Sequence, residues 1–125
     1  MKTNPVSWFE IPVKNYERAE KFYTTILGVK LAKNPMGPLT MGVFEGGMEN
    51  QGAWGAIVLG EGYEPSKKGT SVYLNAGKNM PSIISKIEKA GGEVVLPQTS
   101  IGDAGFIAKF ADTEGNLVAL HASAN

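Results

Sequence analysis

Residues 8–28, WFEIPVKNYERAEKFYTTILG, carry the pattern that decides the fold. Trp8 to Val13 form an apolar, strand-like run, and Asn15 stands where a helix N-cap belongs. Tyr16, Ala19, Tyr23 and Ile26 follow at the spacing of an amphipathic helix, and Gly28 is placed as its stop. The same grammar returns at an offset of 64 residues: Lys78-Asn79, then Met80, Ile83, Ile87 and Ala90, then Gly92. Working outward, SVYLNA (71–76) precedes the second helix as WFEIPV precedes the first. VKLAK (29–33), TMGVFE (40–45) and WGAIVL (54–59) follow the first helix, and EVVLPQ (93–98), FIAKFA (106–111) and LVALHA (117–122) follow the second. Each half therefore reads strand, helix, then three strands.

A half of this size with one helix cannot bury both faces of its sheet, so two halves must share a core. The expected fold is α+β: two βαβββ modules, residues 5–61 and 69–123, within a single domain spanning 1–125. Helices lie on the outer faces of curled mixed sheets, and the opposite faces line a cleft. GMENQG (47–52) and GEGYEPSKKG (60–69) read as loops, the latter linking the halves.

Composition narrows the function classes. Twelve basic and twelve acidic residues cancel, with no run of either sign, which argues against nucleic acid as a partner. The absence of cysteine excludes thiolate metal sites, a cysteine nucleophile and a disulfide framework, and suits a reducing compartment. No apolar run approaches the ~20 residues of a membrane span. The expectation is a cytoplasmic protein without membrane contact. MGVFEGGMENQGAWG (41–55) lacks the lysine and the strand-to-helix setting of a phosphate cradle. No Gly-x-Ser-x-Gly elbow is present, and DTEGN (112–116) has too few acidic ligands for a calcium loop and suits a hairpin turn.

WFEIPVKNYERAEKFYTTILGVKL (8–31), AGGEVVLP (90–97) and ADTEGNLVALH (111–121) together resemble the vicinal oxygen chelate superfamily. That superfamily includes glyoxalase I, extradiol dioxygenases, fosfomycin-resistance proteins and bleomycin-binding proteins. The chain looks closest to the small bacterial glyoxalase-related and bleomycin-resistance-like members. The resemblance implies the paired βαβββ fold and a homodimer, with the modules paired within a chain or exchanged between chains. Function stays open, since the fold hosts metal-dependent enzymes and metal-free binders alike. In the enzymes, His, Gln or Glu side chains from several strands hold a divalent ion that polarises substrate oxygens. Counted from the helix starts and from Gly115, those positions fall here on Trp8, Val72 and Ala119, with the fourth on Val58 or its neighbour Ile57. None can ligate an ion, so no metal cofactor is expected.

Strand alternation then nominates what else faces the cleft. Trp8 brings Glu10 with it, and Ala119 brings His121, the only histidine in the chain. Within hydrogen-bond reach these two would form an acid/base pair near neutral pH. The plainer alternatives are a terminal or backbone-bonded imidazole and a Glu10 ion-paired with Arg18 or a lysine. Trp8 and Trp54 are ligand platforms or core packing; Met36, Met41 and Met48 are adaptable contacts or gap-fillers. Tyr63, on the linker, either closes over the cleft or decorates a surface loop. Two functions follow. One is a metal-free binder of a small organic molecule through Trp8, Glu10, Val58, Val72, Ala119 and His121. The other is a divergent lyase or isomerase, related to lactoylglutathione lyase, using Glu10 with or without His121 for proton transfer.

Overall fold

A computed structural model describes residues 5–46 and 53–124. The GMENQG segment and Met48 lie outside the described residues. The first module contains β1 (Trp8–Val13), α1 (Tyr16–Leu27), β2 (Leu31–Met36), β3 (Leu39–Phe44) and β4 (Trp54–Leu59). The second contains β5 (Tyr73–Asn75), α2 (Met80–Ile87), β6 (Glu93–Ser100), β7 (Phe106–Ala111) and β8 (Leu117–Ala122). Each module folds its four strands into one mixed sheet, ordered β1-β4-β3-β2 and β5-β8-β7-β6. In each, the first strand runs parallel to the last and the remaining pairs are antiparallel. Among the described residues no helix is long and apolar enough to cross a membrane.

The first helix forms for the reasons its sequence suggests. Asn15 Oδ1 accepts the Arg18 N–H at 3.0 Å, and Gly28, at φ 68°, turns the chain out while its N–H bonds the Thr24 carbonyl. The second helix departs from the repeat. Asn79 precedes it but makes no side-chain cap bond, and the helix ends at Ile87, well before Gly92. Pro81, in the first turn, lacks an N–H that would otherwise need a cap.

Tyr16, Ala19, Phe22, Tyr23 and Ile26 of α1 and Met80, Ile83 and Ile87 of α2 pack on one face of each sheet. On β1 that face carries Ile11 and Val13 with Phe9; on β8 it carries Val118, Leu120 and Ala122. Two glycines make room there. A methyl group on Gly55 would lie 2.5 Å from the Phe9 ring, and one on Gly42 would lie 2.6 Å from the Tyr16 hydroxyl.

The modules are clasped by the β7–β8 turn, residues 112–116. Asp112 Oδ1 accepts the N–H groups of Glu114 and Asn116, and its Oδ2 accepts the buried Tyr23 hydroxyl at 2.7 Å. Asn116 Nδ2 donates to the Pro12 carbonyl at the end of β1. Glu114 Oε1 accepts the backbone N–H groups of Lys14 and Asn15, both at 2.8 Å, and the Arg18 guanidinium grips the same carboxylate at 2.6 and 3.0 Å. The buried side chains of Asp112, Glu114, Asn116 and Tyr23 are all satisfied by these bonds, which is why a polar turn can sit in a protein interior.

Candidate functional site

The helices occupy one face of each sheet, so the candidate site residues are found on the opposite, helix-free faces. On the first sheet, β1 alternation and the β1–β4 register place Trp8, Glu10 and Pro12 on that face beside Trp54, Ala56 and Val58. Ile57 belongs to the helix-side core and Val58 points to the opposite face; both are fully buried. Trp8 and Trp54 meet edge to face, ring centroids 5.2 Å apart, the geometry that matches a positive ring edge to a negative ring face.

Glu10 is held from two sides. Trp8 Nε1–H donates to Oε2 at 3.1 Å and the Tyr63 hydroxyl donates to Oε1 at 2.9 Å. The expected rival, an ion pair with Arg18, is not formed, because Arg18 is committed to Glu114. The hydrogen bond to Glu10 raises the Tyr63 hydroxyl above the usual phenol range, so Tyr63 stays a donor at neutral pH. Tyr63 thus folds the linker back onto β1, the first of the two roles open to it. Beside it, Glu10, Pro12, Ser66, Val72, Asn116 and Leu117 line an open cavity of about 160 Å³ at the seam of the two sheets.

On the second sheet, Leu117, Ala119 and His121 lie on the helix-free face, opposite in register to Tyr73 and Asn75 of β5. Val72 borders the seam cavity but also packs toward the helix-side core with Leu74 and Ala76. The reason is one inserted residue. Core positions Val13 and Ala76 are separated by one residue fewer than the helix starts Tyr16 and Met80, and the surplus is absorbed at Gly77, φ 58°. An offset taken from the helices therefore lands on the wrong face of β5, where Tyr73 and Asn75 occupy the helix-free positions. Lys109 of β7, paired with Ala119, shares their face.

His121 is not hydrogen-bonded to Glu10. Its Nε2 faces the Ala104 carbonyl at 2.7 Å, and since a carbonyl only accepts, Nε2 carries the proton and donates. The ring ties β8 to the short 3-10 turn Gly102–Ala104, the backbone-bonded alternative considered above.

The resemblance implies ligand positions at Trp8, Val58, Val72 and Ala119. Indole, alkyl and methyl groups offer no lone pair to a cation, and among the described residues no three His, Asp or Glu side chains gather into a ligand set. At these four positions the side chains present do not fit a bound divalent ion.

Comparison with known proteins agrees with this architecture. The chain is similar to the provisionally named glyoxylase CFP32 of Mycobacterium tuberculosis, 29% identical over 119 residues, covering 91% of this chain and 44% of that protein. Among solved structures, a glyoxylase/bleomycin resistance protein/dioxygenase domain from Frankia sp. EAN1pec superposes with a TM-score of 0.72 at 15% identity, covering 98% of this chain and 99% of that one. Glyoxalase I from Zea mays superposes with a TM-score of 0.65 at 21% identity, covering 97% of this chain and 47% of that one. The chain spans less than half the length of the mycobacterial and maize proteins. Residues 6–120 match one family description across both modules, and with the paired strand-helix-three-strand sheets this places the chain in the Glyoxalase/Bleomycin resistance protein/Dioxygenase superfamily.

Proposed function

We propose that this protein binds a small, largely apolar organic molecule on the helix-free face of its first sheet, without a catalytic metal. The observation that carries the reading is the Trp8–Trp54 pair with Glu10 fixed beside it. The arrangement is an aromatic platform with one oriented acceptor, the mix of apolar wall and few placed polar groups that small-molecule sites use. The adjacent cavity, about 160 Å³, has the volume of a single aromatic ring, for which a cavity of ~150 Å³ suffices. A homodimer in which a second copy covers this apolar face is part of the reading.

The test is a titration of chelator-treated protein with aromatic compounds of roughly ten to fifteen non-hydrogen atoms, followed by tryptophan fluorescence. Saturable quenching is expected, with Trp8→Ala weakening it about tenfold. Absence of saturable binding from chelator-treated protein, restored by a divalent ion, would reject the reading.

Tyr63 favours a second reading. A lyase or isomerase needs a base and a donor for the developing oxyanion, and the Glu10–Tyr63 contact brings a carboxylate and a phenol together at 2.9 Å. Glu10→Gln that retained ligand affinity but abolished turnover would favour this enzyme reading; a ligand bound without any turnover would leave the binder.

A further inference from the structure

A second cavity, about 600 Å³, lies away from the sheets, in the groove between the two helices. Its lining is Arg18, Lys21 and Thr25 from α1 and Lys86, Lys89 and Ala90 from the end of α2 and the turn after it. Four of the chain's twelve cations thus face one groove, although its twelve cations and twelve anions cancel overall. Among the described residues no acidic side chain lines it.

The asymmetry is built into α1. Glu17 turns toward β2, where Lys33 Nζ meets it at 3.3 Å, and Glu20 accepts the Tyr16 hydroxyl. Arg18, Lys21 and Thr25, spaced three and four apart, form the flank facing α2. Arg18 spends Nε and one terminal nitrogen on Glu114, yet its side chain is 49% exposed, so part of its charge still faces the groove. Among the described residues no ion pair engages Lys21, Lys86 or Lys89. Like charges held on two walls repel, and an anion seated between them converts that repulsion into attraction.

We infer that the groove between α1 and α2 binds a small organic polyanion, bearing two or more carboxylate or phosphate groups on an apolar frame. The cations sit on both walls, so one anionic group leaves half the charge unanswered and two or three spread across the groove answer it. Ala90, the Thr25 methyl and the lysine stems supply apolar contact between them. The volume is in the range of small-molecule sites, ~300–1,000 Å³. Because the whole chain has no net charge, attraction is local and short-ranged. A bound polyanion would bridge the helices of the two modules.

The experiment uses benzene-1,3,5-tricarboxylate as probe and citrate as a charge-matched comparison, titrated calorimetrically into the full chain at constant ionic strength. Saturable binding is expected, tighter for the aromatic probe than for citrate. Lys86→Ala/Lys89→Ala is expected to weaken it about tenfold, while Lys33→Ala, on the other flank of α1, leaves it unchanged. Because the exchanged lysines are exposed, a circular dichroism melt matching the unsubstituted chain establishes that both variants are folded. Equal loss in the two variants, no loss in the double variant, or no saturable binding of either probe overturns the inference. Binding of polyglutamate alone, with neither small probe bound, does so as well, in favour of an acidic protein segment.

Discussion

At the scale of single residues, Glu114 is the most heavily committed side chain among the described residues. Burial alone would raise its carboxyl, but the Arg18 guanidinium, the Asn15 and Lys14 N–H groups and the Thr113 hydroxyl outweigh that and hold it at about 2. A carboxyl lowered on folding adds stability that is fully present above its unfolded value of 4.5 and is lost as pH falls from there through about 2. Urea melts from pH 6 to pH 2 should show that loss, and Glu114→Gln should flatten it while lowering stability at pH 7 by roughly 2–3 kcal/mol. An equally steep acid loss in Glu114→Gln would assign the low-pH transition to other groups. Tyr23 gives a cleaner single bond. Removing its buried hydroxyl in Tyr23→Phe leaves Asp112 one donor short and should cost about 1.5–3 kcal/mol in equilibrium unfolding, with ligand binding unaffected. Neither role was legible in the sequence, where DTEGN showed only its turn chemistry. Its partners on β1 and α1 lie about a hundred positions away, and no local pattern connects them.

At the scale of elements, local signals served well where local physics decides. β1, β4, β7 and β8 begin and end at the residues their apolar runs mark, because each run is bounded by a turn or a cap. The repeat failed where two elements join. Asn15 and Asn79 look equivalent in sequence, yet only Asn15 caps a helix with its side chain. Asn15→Ala should therefore lower the thermal midpoint by an amount equivalent to ~1 kcal/mol, while Asn79→Ala should change it little. Equal losses in calorimetric melts would mean that Asn79 caps α2 in solution. Similarly, the extra residue at Gly77 turns β5 over relative to the helical repeat, which puts Tyr73 and Asn75 where counting from the helix puts Val72. Gly42 and Gly55, inside the runs read as strands, are gaps filled in the fold by Tyr16 and Phe9. Gly55→Ala should cost about 1–3 kcal/mol from overpacking, read as a lower urea midpoint at an unchanged slope.

At the scale of the whole molecule, the chain keeps the superfamily's two modules, each a four-stranded mixed sheet with one helix. The face on which Trp8 and Ala119 lie was readable from the sequence, because β1 and β8 have clear alternation. The polar groups around Glu10 were not, because Tyr63 reaches that carboxylate from a linker with no periodicity. What remains on the helix-free face of the first sheet is an aromatic pair and an oriented carboxylate. Under the proposed reading such a surface takes an apolar guest, and its single carboxylate is one ligand where a bound divalent ion needs several. The direct measurement is elemental analysis of protein purified without chelator, before and after incubation with nickel, zinc, manganese and iron and removal of free ion. Substoichiometric metal in every sample is expected; one tightly held ion per chain would show that the helix-free faces carry a ligand set that Trp8, Val58 and Ala119 do not provide.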